Sequence, residues 1–197
     1  MGIRVCRQGR TMDIVLIAVV VIGALAIWGI GQSRLRHSDK FALRTERIQL
    51  SPEQPSWIRG DVLRDVIKQH NLEELFLDDS NLTKQLADAF TLHSWINSVE
   101  LVEKNPSGVA VVVNFRKPVA MVEVKYDDRP HVLPIDAEGT VLPPADFTAD
   151  DISNYLRIAA DHLRPSGLVG DPWGDSKVVG AAKLAGLFDG IPWKEMG

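Results

Sequence analysis

An α+β fold is the class this sequence predicts. It comprises an N-terminal transmembrane helix, a β-α-α-β-β unit, and a partial antiparallel β domain with C-terminal helices. Three observations predict it. The run IVLIAVVVIGALAIWGI, Ile14 to Ile30, carries no polar side chain. Residues 45–115 interleave short runs of β-formers with two stretches whose apolar residues recur at helical spacing. The stretch VVVNFRKPVAMVEV, residues 111–124, reads as two strands with a proline between them. Proline has no N–H to give a ladder, so Pro118 marks a joint rather than a strand interior. The expected division is a short cytosolic tail over 1–12, a span over 13–33, a juxtamembrane linker over 34–44, the β-α-α-β-β unit over 45–117, and an incomplete or divergent β domain with a helical tail over 118–197.

The span comes first. No charge occurs between Asp13 and Arg34, and those 20 positions form a helix of ~30 Å, the thickness of a bilayer core. Ile14, Leu16, Val20, Leu25 and Ile30 are its apolar body, and Trp28 sits near one end, where interfacial aromatics collect. Arg4, Arg7 and Arg10 with Ala24-Leu25-Ala26 also fit a cleaved signal peptide. The Ala-x-Ala site lies inside the apolar run, however, and the length of the run favours a retained anchor. The lipid bilayer is therefore an expected partner. The expected location is the cytoplasmic (inner) membrane, single-pass, with the N-terminus cytosolic and residues 34–197 exported.

Composition narrows the functional classes. At 45% hydrophobic and 24% charged, the chain has globular rather than disordered composition. Of its 22 basic and 26 acidic residues, six and two precede Phe41, which leaves 16 against 24 beyond it. A surface of charge −8 is a poor match for phosphate backbones, so nucleic acid is not an expected partner. Cys6, ahead of the span, is the single cysteine, which excludes disulfides and thiol chemistry in the rest of the chain.

Within the β-α-α-β-β unit, TERIQL (45–50) alternates as a short strand and SPEQPSW is an extended connection. Asp61 caps a helix with Val62, Leu63, Val66 and Ile67 on one face. Leu82, Leu86, Ala89 and Phe90 form the stripe of a second helix. VELVEK (99–104) is a strand, and Asn105-Pro106-Ser107-Gly108 has the residues of a type I turn. VAVVVNF (109–115) returns as a strand apolar on both faces, hence central and covered by the helices. Beyond the joint, VAMVEVKY is a strand and HVLPIDAEGTVLP a hairpin turning at Ala137-Glu138-Gly139. Ile152, Tyr155, Leu156 and Ala159 suit one helix; Val178, Ala181, Ala182 and Ala185 suit another.

The element order strand, helix, helix, strand, strand is that of a POTRA domain. Together with the anchor, the motifs FTLHSWINSVELVEKNPSGVAVVVNFRKPVAMVEV and LPIDAEGTVL make residues 14 to 142 resemble the bacterial FtsQ/DivIB division proteins. Trp95 and Ile96 match the family's aromatic turn, with Ser94 where proline is usual. Pro106, Val111, Val113, Arg116, Pro118 and Ala120 match the run out of the third strand, and Asp136 and Gly139 match the D-x-x-G hairpin. The resemblance implies a non-enzymatic bitopic membrane scaffold of the septation machinery, with other single-span division proteins as partners. Such proteins carry their main partner-binding strand towards the end of the second domain, in a region this sequence does not visibly contain. An alternative sharing the fold is a POTRA module of outer-membrane protein assembly or secretion.

No chemistry of an enzyme is expected. The histidines at 37, 70, 93, 131 and 162 show no metal-ligand spacing. Asp78-Asp79, Asp127-Asp128 and Asp150-Asp151 read as caps and turns rather than acid–base dyads. No cofactor and no small-molecule substrate is expected. The candidate partner-binding residues are Arg116, Lys117, Pro118, Val119 and Ala120 at the joint, where charge and an interrupted strand coincide. Trp57 and Trp95 read as core more than as binding anchors; Trp173, in VGDPWGDS, reads as either.

Overall fold

The computed structural model of the chain describes residues 45–126 and 129–189, all of which fall within one compact unit. Among these residues the architecture is α+β, with two three-stranded sheets and four helices. The first sheet takes β1 (Ile48–Ser51), β2 (Ile96–Asn105) and β3 (Gly108–Phe115) in the order β1-β3-β2. β3 is central because it can be buried on both faces: Val109, Val111 and Val113 are in the core and the alternate valine, Val112, is half-buried. It runs antiparallel to β2 and parallel to β1, with Ile48 opposite Val109. Gly108 is needed where the hairpin passes β1, since a Cβ there would lie 2.0 Å from the carbonyl oxygen of Arg47.

Helices α1 (Val62–Gln69) and α2 (Leu82–Thr91) cover this sheet. Asp61 starts α1 by accepting the N–H of Arg64 at 3.0 Å, and Val62, Val66 and Ile67 turn inward. Leu82, Leu86, Ala89 and Phe90 are the buried stripe of α2. Trp95, at the entry to β2, is fully buried among them.

The second sheet takes β4 (Pro118–Tyr126), β5 (Arg129–Asp136) and β6 (Leu156–Ala159) in the order β5-β4-β6. β4 and β5 are antiparallel; β6 joins β4 in parallel, with Ala120 opposite Leu156. Helix α3 is the single turn Ala149–Ile152, and α4 (Ser176–Leu187) packs Val178, Ala182 and Ala185 against Ala120, Val122, Val124 and Ile135. Trp173 is wholly buried in this second core.

Two parts of the expected fold are corrected. The second sheet is mixed rather than antiparallel, because residues 156–159 form a strand where the spacing predicts a helix. Ser153 and Asn154 end α3 after one turn. Leu156 and Ile158 then alternate with the exposed Arg157 and Ala159, which suits a strand on the open edge of β4. The other correction concerns the membrane. No helix among the described residues is long and apolar enough to cross one. The described architecture therefore contains no span, and the 13–33 segment with Ile14, Leu16, Val20, Leu25, Trp28 and Ile30 lies outside the described residues. The expected single-pass inner-membrane localisation is corrected with it.

Leu142 comes after the joint yet is wholly buried in the first core, and Phe147 packs against that core too. Truncating Leu142 to alanine should therefore weaken the first sheet, although every strand of that sheet lies upstream of it, by about 2–5 kcal/mol. Urea denaturation gives the loss, and hydrogen exchange should place it in β2, β3 and α2. A fragment ending at residue 117 should likewise melt well below the full chain.

Candidate interaction site at the joint between the sheets

The joint is built around Arg116. Two positions before the proline, it leaves β3 with its backbone already engaged. Its N–H donates to the Trp95 carbonyl at 2.8 Å, and its own carbonyl accepts from the indole N–H of Trp57 at 3.2 Å. The guanidinium reaches into the second half of the chain. One Nη donates to Asp136 Oδ2 at 2.6 Å and to the Thr140 hydroxyl at 3.1 Å, with Glu138 at 3.5 Å as an outer partner. Side-chain exposures of 14% for Arg116 and 7% for Asp136 put this pair out of reach of bulk screening.

Asp136 does more than neutralise the arginine. Its second oxygen accepts the backbone N–H groups of Glu138 at 2.9 Å and Thr140 at 2.8 Å, so the carboxylate shapes the turn it starts. The turn closes through the Gly139 N–H on the Asp136 carbonyl, with Gly139 at φ +81°. A side chain there would be strained and would also meet Val179 of α4 at 2.9 Å. The D-x-x-G spacing is thus an acceptor for two N–H groups and a left-handed residue pressed against a helix.

The sequence-predicted partner-binding residues separate here. Pro118 and Ala120 are buried, Arg116 is nearly so, and Val119 is half-buried. Lys117 is exposed and pairs with Asp189 just beyond α4. A cleft of about 210 Å³ opens beside it, lined by Phe115, Lys117, Val119, Ala137, Glu138 and Gly186 among others. Lys117 and Glu138 are the exposed charges of the joint, at the rim of that cleft.

A second tie lies on the far side. Trp95 donates its indole N–H to Asp146 Oδ2 at 2.7 Å, and its ring lies 6.1 Å from that of Phe147. Sequence reasoning missed Asp146, Thr140 and Leu142, because each acts through partners far along the chain with no local pattern to betray it. His93, in the turn before Trp95, accepts the Trp95 backbone N–H on Nδ1 at 3.3 Å. Burial holds its pKa below the ordinary 6.5, outweighing the raising effect of Asp65 and Asp146. A neutral Nδ1 is the form able to accept that bond.

A scan against models of known protein families finds no match, and neither does a search of the curated proteins.

This geometry has two measurable outcomes. Asp136→Ala strands a nearly buried guanidinium and two N–H groups, and should cost about 3–5 kcal/mol in a urea melt; Asp136→Asn, which retains an acceptor, should cost clearly less. For His93 the depressed folded pKa makes stability fullest above 6.5. Stability should then fall as pH drops from there through the folded value, where the unfolded chain binds the proton more readily. His93→Gln should flatten that part of the pH–stability curve relative to the parent.

Proposed function

We propose that the chain is a non-enzymatic interaction module of the bacterial cell-division machinery, of FtsQ/DivIB type, which gathers other division proteins through its two small sheets. One observation carries the reading. The two motifs that make the sequence resemble that family, R-x-P-V-A and D-x-x-G, are bound to each other through the 2.6 Å contact of Arg116 with Asp136. The antiparallel pairing of β4 with β5 sets Pro118 opposite Asp136, and the side chain two positions earlier closes the contact between the motifs. The β-α-α-β-β order ahead of the joint adds support, and fold by itself would license no function.

The means of recruitment is strand addition to a sheet edge. The two edges of the second sheet are unequal. Pro134 turns its carbonyl away from β4, accepting from the Leu142 N–H at 2.8 Å. Pro130 is four residues earlier and points the same way, so the outer edge of β5 lacks two donors, a common device against unwanted pairing. β6 has no such protection. Ala160 donates to Glu123 of β4 at 2.9 Å, so by the alternation of a parallel strand Ala159 turns its N–H outward. The edge of β6 is where a partner strand adds, with Lys117 and the joint cleft as secondary contacts.

Ala159→Pro removes an outward donor without touching a bond to β4, so the melt should stay close to that of the parent. After cross-linking in dividing bacteria, the parent chain should co-purify with division proteins and Ala159→Pro should recover at least tenfold less. Equal recovery would move the contact away from β6. No division protein with either chain would remove the division reading itself.

A further inference from the structure

A cleft of about 130 Å³ lies between the connection after β1 and the segment leading into β6, and it shares no lining residue with the joint cleft. Trp57, Phe147 and Tyr155 supply its aromatic surface; Asp146, Asp151 and Arg59 supply its charge. Small-molecule sites usually run to about 300–1,000 Å³, and this volume corresponds to roughly four waters, so it suits one side chain rather than a metabolite.

The aromatic walls are fixed in advance. The Trp57 indole is tied to the Arg116 carbonyl, and Phe147 is held between the rings of Trp95 and Tyr155. Phe147 and Tyr155 meet at 80° with centroids 5.9 Å apart, which makes two walls of a corner. The two carboxylates differ in how they are used. Asp151 Oδ2 accepts from the Thr148 N–H and hydroxyl and from Arg59 at 2.8 Å, so its charge is already matched. Asp146 takes only the neutral indole N–H of Trp95, and no lysine or arginine among the described residues pairs with it. Two carboxylates against the single guanidinium of Arg59 leave one negative charge in excess beside three ring surfaces, an environment for a further cation. The raised pKa of Tyr155, due first to burial and then to Asp151 and Asp189, agrees with a negative local field.

We propose that this cleft receives a single cationic side chain, the guanidinium or ammonium group of an arginine or lysine on an exposed segment of a partner protein, packed against Trp57, Phe147 and Tyr155 and paired with Asp146. The excess of 24 acidic over 16 basic residues beyond position 40 draws such a segment in. The assignment goes beyond the division reading and does not rest on it.

The test titrates the full chain with the peptide acetyl-Gly-Gly-Arg-Gly-Gly-amide and with its citrulline counterpart, which keeps the shape and loses the charge. The probe is the indole N–H resonance of Trp57 together with the backbone amide of Tyr155. The arginine peptide should shift both saturably, and citrulline should bind about tenfold more weakly. Asp146→Asn, which still offers Trp95 an acceptor, and Tyr155→Leu should each weaken the arginine peptide about fivefold or more while leaving the joint resonances in place. Equal binding of citrulline, or unchanged arginine binding by Tyr155→Leu, would overturn the assignment. Should Asp146→Asn fail to fold, the citrulline comparison and Tyr155→Leu still decide it.

Discussion

The pairing of Arg116 with Asp136 ties together the two sheets on either side of Pro118. An ion pair this far from water is expensive to assemble, because both groups lose their hydration, and an apolar pair of similar volume would often be no less stable. What the charged pair supplies is geometry. The guanidinium reaches one carboxylate oxygen and a hydroxyl, while the other carboxylate oxygen is committed to the turn at Glu138 and Thr140. A slip in either partner breaks contacts in both sheets. The end of β3, the turn after β5 and the approach of α4 over Gly139 are thereby set by one contact.

Local features of the sequence are the readable ones. The stripe of Leu82, Leu86, Ala89 and Phe90 fixes a helix and its buried face because helical spacing needs no distant information. The valines of β3 announce a strand covered on both sides, and Pro118 announces a break. Residues 156–159 mislead because Tyr155, Leu156 and Ala159 fit helical spacing about as well as strand spacing over so short a run. The deciding factor there is the open edge of β4, which is invisible in a four-residue window. At the joint, Arg116 and Lys117 stand out in the sequence as a pair of charges, yet the burial of Arg116 alone depends on Asp136, 20 residues on. The aromatic cleft is not legible at all: Trp57 and Tyr155 come from opposite ends of the described chain and share no pattern.

The two halves manage their hydrophobic surface differently. The first sheet is closed by two helices and by Leu142 from beyond the joint, whereas α4 is the main cover of the second among the described residues. That helix buries small residues, Ala182 and Ala185, against the sheet and leaves Leu184 and Leu187 exposed. Small side chains on the buried face let the helix approach closely, as the 2.9 Å contact that a Cβ on Gly139 would make with Val179 indicates. The second core is accordingly shallow, with Trp173 supplying much of its volume.

The seating of Leu142 in the first core has a further consequence, for the order in which a growing chain can fold. Ile48 leaves the ribosome early, but its parallel partner Val109 comes 61 positions later and Leu142 later still. At ordinary elongation rates of about 5–20 residues per second, that is roughly 5–20 s between the first strand and the last residue of its core. Over that interval α1 has its Asp61 cap and both helices have their apolar faces, but no finished sheet lies beneath them. These two apolar helical faces are therefore made well before β2 and β3, the strands that cover them, a window in which the nascent protein depends on its surroundings to keep those faces apart from others.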